Sequence, residues 1–181
     1  MDEMRETKEM VAILQKAAAS EIESEQYYQQ AAKRAQNPLA RSTFTALARE
    51  ERHHAELLQA YCDVVAEQGQ CPLCEAIGQQ TGDLAQLAEE VLGRALELLG
   101  DDEPPIDDLH EVYQTAMGME REALEQYIAW ARETDEPHAV ELFEHLISQE
   151  RGHLTLLAEG QKLLDDPESW HFEQEQWIVE G

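Results

Sequence analysis

Glu51-x-x-His54 and Glu150-x-x-His153 each set a carboxylate and an imidazole three residues apart. On a helix that spacing places an oxygen and a nitrogen ligand on adjacent turns of one face. Phe44, Leu47, Ala48, Ala55 and Leu58 recur at the i, i+3, i+4, i+7 spacing of a buried stripe, and the stripe runs through Glu51 and His54. Phe143, Leu146, Ile147, Leu154 and Leu157 enclose Glu150 and His153 in the same way. Glu21 shares a face with Leu14, Ala17, Ala18 and Tyr28, and Glu120 with Tyr113, Ala116, Met117, Leu124 and Tyr127. Four carboxylates and two imidazoles therefore point into apolar surroundings, where an unpaired charge costs several kcal/mol. Two divalent cations remove that cost, because four glutamate charges balance two M²⁺. Metal binding is the chemistry these residues imply, and mixed carboxylate–imidazole ligation suits iron or manganese better than thiolate-loving metals.

The elements that must hold these residues are long helices. Ala, Leu, Glu and Gln dominate the chain and Gly and Pro are few, a composition that favours helix. The first helical pattern runs from about Thr7 to Ala35, and Asn37-Pro38 breaks and restarts the chain. The second runs from Pro38 to about Glu67. Two more span roughly Ile106–Thr134 and Pro137–Leu164. Glu21 lies sixteen residues before Asn37 and Glu51 thirteen after Pro38. At a rise of about 1.5 Å per residue, antiparallel packing brings both glutamates to nearly one height.

Sliding the chain against itself by 99 residues aligns the second helix pair with the first, without a gap from residue 21 to 58. Glu21 meets Glu120, Tyr28 meets Tyr127, Pro38 meets Pro137 and Phe44 meets Phe143. Glu51, Arg52 and His54 meet Glu150, Arg151 and His153. The repeat keeps polar core residues as faithfully as apolar ones. It also settles a rival register in "EERHH": Glu50 and His53 meet Gln149 and Gly152, so they are read as flanking residues, with His53 in reach of a supporting role.

With these six residues the sequence resembles the ferritin-like di-iron carboxylate proteins, and more closely their rubrerythrin-like branch, from about residue 10 to 164. The resemblance implies an all-α, ferritin-like four-helix bundle built from two repeated helix pairs. It implies two iron ions, with manganese as the other candidate, held by Glu21, Glu51, His54, Glu120, Glu150 and His153. In such sites the glutamates of Glu-x-x-His bridge the metals and the other two bind terminally. Two departures stand out. Rubrerythrins usually carry a further third-helix glutamate three residues after the terminal ligand, where this chain has Ala123 (and Ser24 in the first half). Rubrerythrins proper also carry a complete rubredoxin domain, whereas here Cys71-Pro-Leu-Cys74 is half of such a knuckle.

Several other residues bear on the site. Tyr28 and Tyr127 lie two turns beyond their glutamates, placed either to hydrogen-bond a ligand carboxylate from the other half or simply to pack. Glu25 is an extra carboxylate, an iron-entry group or a solvated helix charge. Cys71 and Cys74 form a redox pair, part of an intersubunit metal site, or an inert loop; Cys62 is expected to be buried. Residues 68–106 are long enough for the full-length crossover such bundles need, with an extra amphipathic helix through Leu84, Leu87, Val91, Leu92, Ala95 and Leu99. One domain is expected over 1–164, with a tail over 165–181 whose Trp170, Phe172 and Trp177 dock on the bundle or on a second subunit; a homodimer is expected.

The formal charge of −26 argues against nucleic acid or an anionic membrane as partner. "MDEMRETKEM" lacks a hydrophobic signal core, no apolar run is long enough to span a bilayer, and three cysteines do not make a disulfide framework. A cytoplasmic address is expected. The resemblance implies reduction of hydrogen peroxide or dioxygen with electrons from an external donor. Ferroxidase-type iron binding or storage is the alternative, and a di-iron oxygenase a further one.

Overall fold

A computed structural model of the chain describes residues 2–72, 91–92 and 107–166. Four long helices carry the fold: α1 (Asp2–Arg34), α2 (Pro38–Gln68), α3 (Asp107–Glu133) and α4 (Pro137–Asp165). No strand occurs among the described residues. The described residues form an all-α four-helix bundle, as expected. None of its described helices is long and apolar enough to cross a membrane. The expected ends hold to within about a residue except at the start of α1, which reaches back to Asp2. Nothing in "DEMRE" breaks a helix, so α1 runs on past the end of its apolar stripe.

Each helix pair turns at a capped proline. The Asn37 side chain accepts from the Ala40 amide at 3.1 Å, with Pro38 as the first helical residue. Glu136 does the same for Ala139 at 2.7 Å ahead of Pro137. Proline needs no hydrogen-bond acceptor there, and the cap satisfies an amide that the helix cannot. Arg41 closes the first turn by donating to the Ala35 carbonyl at 2.8 Å. α2 stops at Gly69, whose φ of 69° lets its amide reach back to the Val65 carbonyl.

The apolar core is split in two. One cluster holds Tyr28, Leu39, Phe44, Leu47, Tyr113 and Leu157, and the other Leu14, Leu58, Tyr127, Trp130, Phe143 and Leu146. The 99-residue repeat exchanges them: Tyr28, Phe44 and Leu47 of the first correspond to Tyr127, Phe143 and Leu146 of the second. The two pairs are therefore related by an approximate twofold axis that swaps the ends of the bundle. α2 finishes at the second cluster and α3 begins at the first, so the end of α2 and the start of α3 lie at opposite ends of the bundle. Of the expected crossover helix, Val91 and Leu92 are helical and buried against the first cluster. The rest of that helix, Cys74 and the tail's aromatic residues lie outside the described residues. A band of polar residues separates the two clusters.

Candidate metal centre

Glu21, Glu51, His54, Glu120, Glu150 and His153 form that band, one Glu from each of α1 and α3 and a Glu–His pair from each of α2 and α4. None is more than 2 % exposed. The two imidazoles lie nearly parallel, 5.3 Å apart between ring centres. Glu51 presents one oxygen to each of them, Oε2 at 3.6 Å from His54 Nδ1 and Oε1 at 3.0 Å from His153 Nδ1. Glu150 does likewise, with Oε1 at 3.5 Å from His54 and Oε2 at 3.5 Å from His153. Glu21 approaches only His54, at 3.9 Å, and Glu120 only His153, at 3.3 Å. One donor atom from each of Glu51, His54, Glu150 and His153 lies within 4.8 Å of all the others.

Tyr28 and Tyr127 cross between the halves. The Tyr28 hydroxyl donates to Glu120 and the Tyr127 hydroxyl to Glu21. A helical side chain leans toward its own N-terminus, so a tyrosine two turns beyond one glutamate reaches back to the glutamate of the antiparallel neighbour. The reciprocity of the two bonds follows from the twofold relation.

Protons organise the metal-free cluster. Burial first, and then the charges of Glu51 and Glu150, hold Glu21 and Glu120 well above the ordinary carboxyl range. Burial also pushes on Glu51 and Glu150, but the neighbouring imidazoles and the acids Glu21 and Glu120 outweigh it; Glu51 falls well below its usual value and Glu150 to about 2. His54 rises to about 9 against its burial, because the Glu150 and Glu51 carboxylates lie beside it, and His153 is raised with it. Burial and the facing glutamates keep both tyrosines protonated. Two carboxylates thus face two imidazolium ions, beside two neutral acids. Even so, both oxygens of Glu51 and of Glu150, both nitrogens of His54 and Nε2 of His153 are buried without a hydrogen-bond partner. Buried polar atoms left unsatisfied are costly, and a pair of cations at the centre would take up most of these donors.

Other expected residues lie elsewhere. Glu50, read as a flanking residue, is buried at 2 % exposure, because α2 is covered on more than one side. It pairs with Arg49 at 3.2 Å rather than joining the cluster. His53 keeps an unpartnered, buried Nδ1. Glu25 accepts from Arg52 Nε at 2.8 Å and from Gln29 at 2.7 Å, which makes it a clamp between α1 and α2. Cys62 is buried, and Cys71 is half-buried with its carbonyl 3.2 Å from His138 Nδ1. Sequence reasoning missed His145, half-buried with an unpartnered Nε2 and a pKa lowered by burial and by nearby His54. Its counterpart in the repeat is Ala46, so the repeat carried no signal for it.

Comparison with known proteins adds three findings. The family model described as Rubrerythrin matches residues 12–160. An uncharacterised protein of Archaeoglobus fulgidus is 48 % identical over 54 residues, which are 30 % of this chain and 84 % of that protein. No solved structure matches the chain.

Proposed function

The chain belongs to the rubrerythrin family, and on that premise we propose that it is a non-haem di-iron protein that reduces hydrogen peroxide or dioxygen. The observation that carries this reading is the sharing of Glu51 and Glu150. Each turns one oxygen to either imidazole, and all four oxygens lack another partner. That is how carboxylates lie when they bridge two ions. Glu21 with His54 would complete the shell of one ion and Glu120 with His153 that of the other, a set that suits iron and also admits manganese.

Bound iron would supply the two electrons of the reduction. The chain's own residues do the rest. Tyr28 and Tyr127 fix the orientation of Glu120 and Glu21 through donated hydrogen bonds. The apolar clusters on either side exclude bulk water and keep the band dry. Four carboxylates and two neutral imidazoles match the charge of two divalent ions, so the loaded site carries no net charge in its dry surroundings. The electrons return from an external donor, and Cys71 with Cys74 is one route for them.

Steady-state turnover of hydrogen peroxide by the iron-loaded protein with a reductant tests the reading, and sustained turnover is expected. A single oxidation with many irons retained per chain would favour ferroxidase-type storage instead. The charge of −26 supports that second reading by drawing Fe²⁺ to the surface.

A further inference from the structure

The seams around the metal band differ in what they offer a cation. Between α1 and α2, Glu25 is held by Arg52 and Gln29. Between α3 and α4 the repeat puts Leu124 in the place of Glu25. Between α1 and α3 the hydroxyls of Tyr28 and Tyr127 are bonded to Glu120 and Glu21. The seam between α2 and α4 is different. Successive helical residues turn by about 100°, so Glu50 and Arg52 lie on opposite flanks of Glu51. Arg52 reaches α1, which leaves Glu50 on the flank that borders α4. The repeat places Gln149 likewise on the flank of α4 that borders α2. Both are buried, and Glu50 Oε2 and Gln149 Oε1 have no hydrogen-bond partner. His53 follows Glu50 by three residues, and His145 precedes Gln149 by four. Because α2 and α4 run in opposite directions, both imidazoles fall on the side of the second apolar cluster. Each is partly exposed yet keeps one buried nitrogen without a partner, Nδ1 of His53 and Nε2 of His145. Their repeat mates, Gly152 and Ala46, offer no ligand on the other side.

We propose that Glu50, His53, His145 and Gln149 are transit ligands through which divalent cations enter the metal centre from the α2–α4 seam. This route rests on the metal-centre part of the reading above and not on the peroxide chemistry. A bare cation in apolar surroundings costs too much to form. A hydrated ion therefore reaches a dry carboxylate bridge only by exchanging its waters for protein ligands in steps. Two imidazoles near the surface, then a carboxylate and an amide oxygen, supply such a series with the nitrogen and oxygen donors that iron and manganese accept. Glu51 and Glu150, the residues next to Glu50 and Gln149, take the ion from there. A path must also let go of what it binds. Among the described residues Glu51, His54, Glu150 and His153 are the group that converges closely enough to hold an ion. The seam residues stand outside that group, so they pass a cation on without retaining it.

Stopped-flow mixing of metal-free protein with Co²⁺ tests the route, because Co²⁺ stands next to Fe²⁺ in the affinity order and its visible bands report ligation. The parent protein should take up a pair of ions per chain. In Glu50→Gln and in His145→Leu the association rate should fall about tenfold or more, within the range that local charge contributes to on-rates. The end point and the dissociation constant should stay as in the parent. Release of bound Co²⁺ into excess chelator should therefore slow by the same factor as uptake. Glu23→Gln combined with Glu122→Gln removes acids from the exposed α1–α3 seam and should leave both rates unchanged. Unchanged rates in the α2–α4 variants, or equal slowing in the α1–α3 variant, would overturn the route while the metal centre stands. Loss of the end point or of affinity in the α2–α4 variants would make these residues ligands of the centre and overturn the route as well. A parent protein that takes up no Co²⁺ would overturn the metal centre, and the route with it.

Discussion

Glu50 and Glu51 are neighbours on α2 and both are buried, yet only Glu51 faces Glu150 and the two imidazoles. Glu51→Ala or Glu150→Ala should therefore abolish binding of a metal pair, whereas Glu50→Ala should leave it intact by elemental analysis. Tyr127→Phe removes the donor that orients Glu21 and should weaken metal affinity by about 10–100-fold, the usual effect of losing such a supporting bond. The protons give a third expectation. His54 has a pKa raised from 6.5 to about 9 in the folded, metal-free protein. Its contribution to stability is fully present below the unfolded value and is lost as pH rises through about 9. Glu21 and Glu120, raised well above 4.5, act in the same direction, because the folded state resists their ionisation. Glu150, lowered to about 2, contributes above its ordinary value and loses that contribution only as pH falls toward about 2. Thermal melts in a chelator should therefore show the metal-free protein losing stability from pH 7 to about 10; a flat profile would contradict this proton arrangement. The six clustered residues were legible because the repeat marks each of them twice. His145 was not, because it stands at a position where the halves differ.

The helices owe their register to local signals, and those were read from sequence nearly as they stand. Asn37-Pro38 and Pro137 mark the turns; Gly69, which ends α2, was not singled out in the sequence. The start of α1 was placed too late because an apolar stripe defines a buried face, not a helix end. Glu136 as a cap was not legible either, since glutamate is not among the preferred capping residues. Two helical glycines allow a sharper test. A Cβ on Gly118 of α3 would meet nothing within 4 Å, so Gly118→Ala should stabilise the fold by about 0.5–1 kcal/mol. A Cβ on Gly160 of α4 would come within 3.1 Å of the Tyr113 ring, which is fully buried and has no room to yield. Gly160→Ala should lower the melting temperature despite its better helix propensity. The opposite order of the two variants would mean that the seam between α3 and α4 is looser than described.

At the scale of the whole molecule, two apolar clusters enclose a polar layer, and the fold is complete only when that layer is satisfied. Without metal it relies on shared protons and still leaves carboxylate oxygens and imidazole nitrogens without partners. Metal should displace protons from Glu21, Glu120, His54 and His153 and tie all four helices at one level. Loading with Fe²⁺ or Mn²⁺ should raise the melting temperature, by about 2.7 kcal/mol of added stability at a hundredfold excess over the dissociation constant. The bundle and its pairing were legible from the repeat, and the end of α2 and the start of α3 fall in opposite clusters, in keeping with the full-length connection the resemblance implied. The most direct test of the central claim is an anaerobic calorimetric titration of metal-free protein with Fe²⁺ in buffers of different ionisation enthalpy. The predicted result is an end point at two ions per chain, with protons released on binding and the end point lost in Glu51→Ala. Saturation at a single ion, or no saturable binding by a fully folded chain, would contradict it.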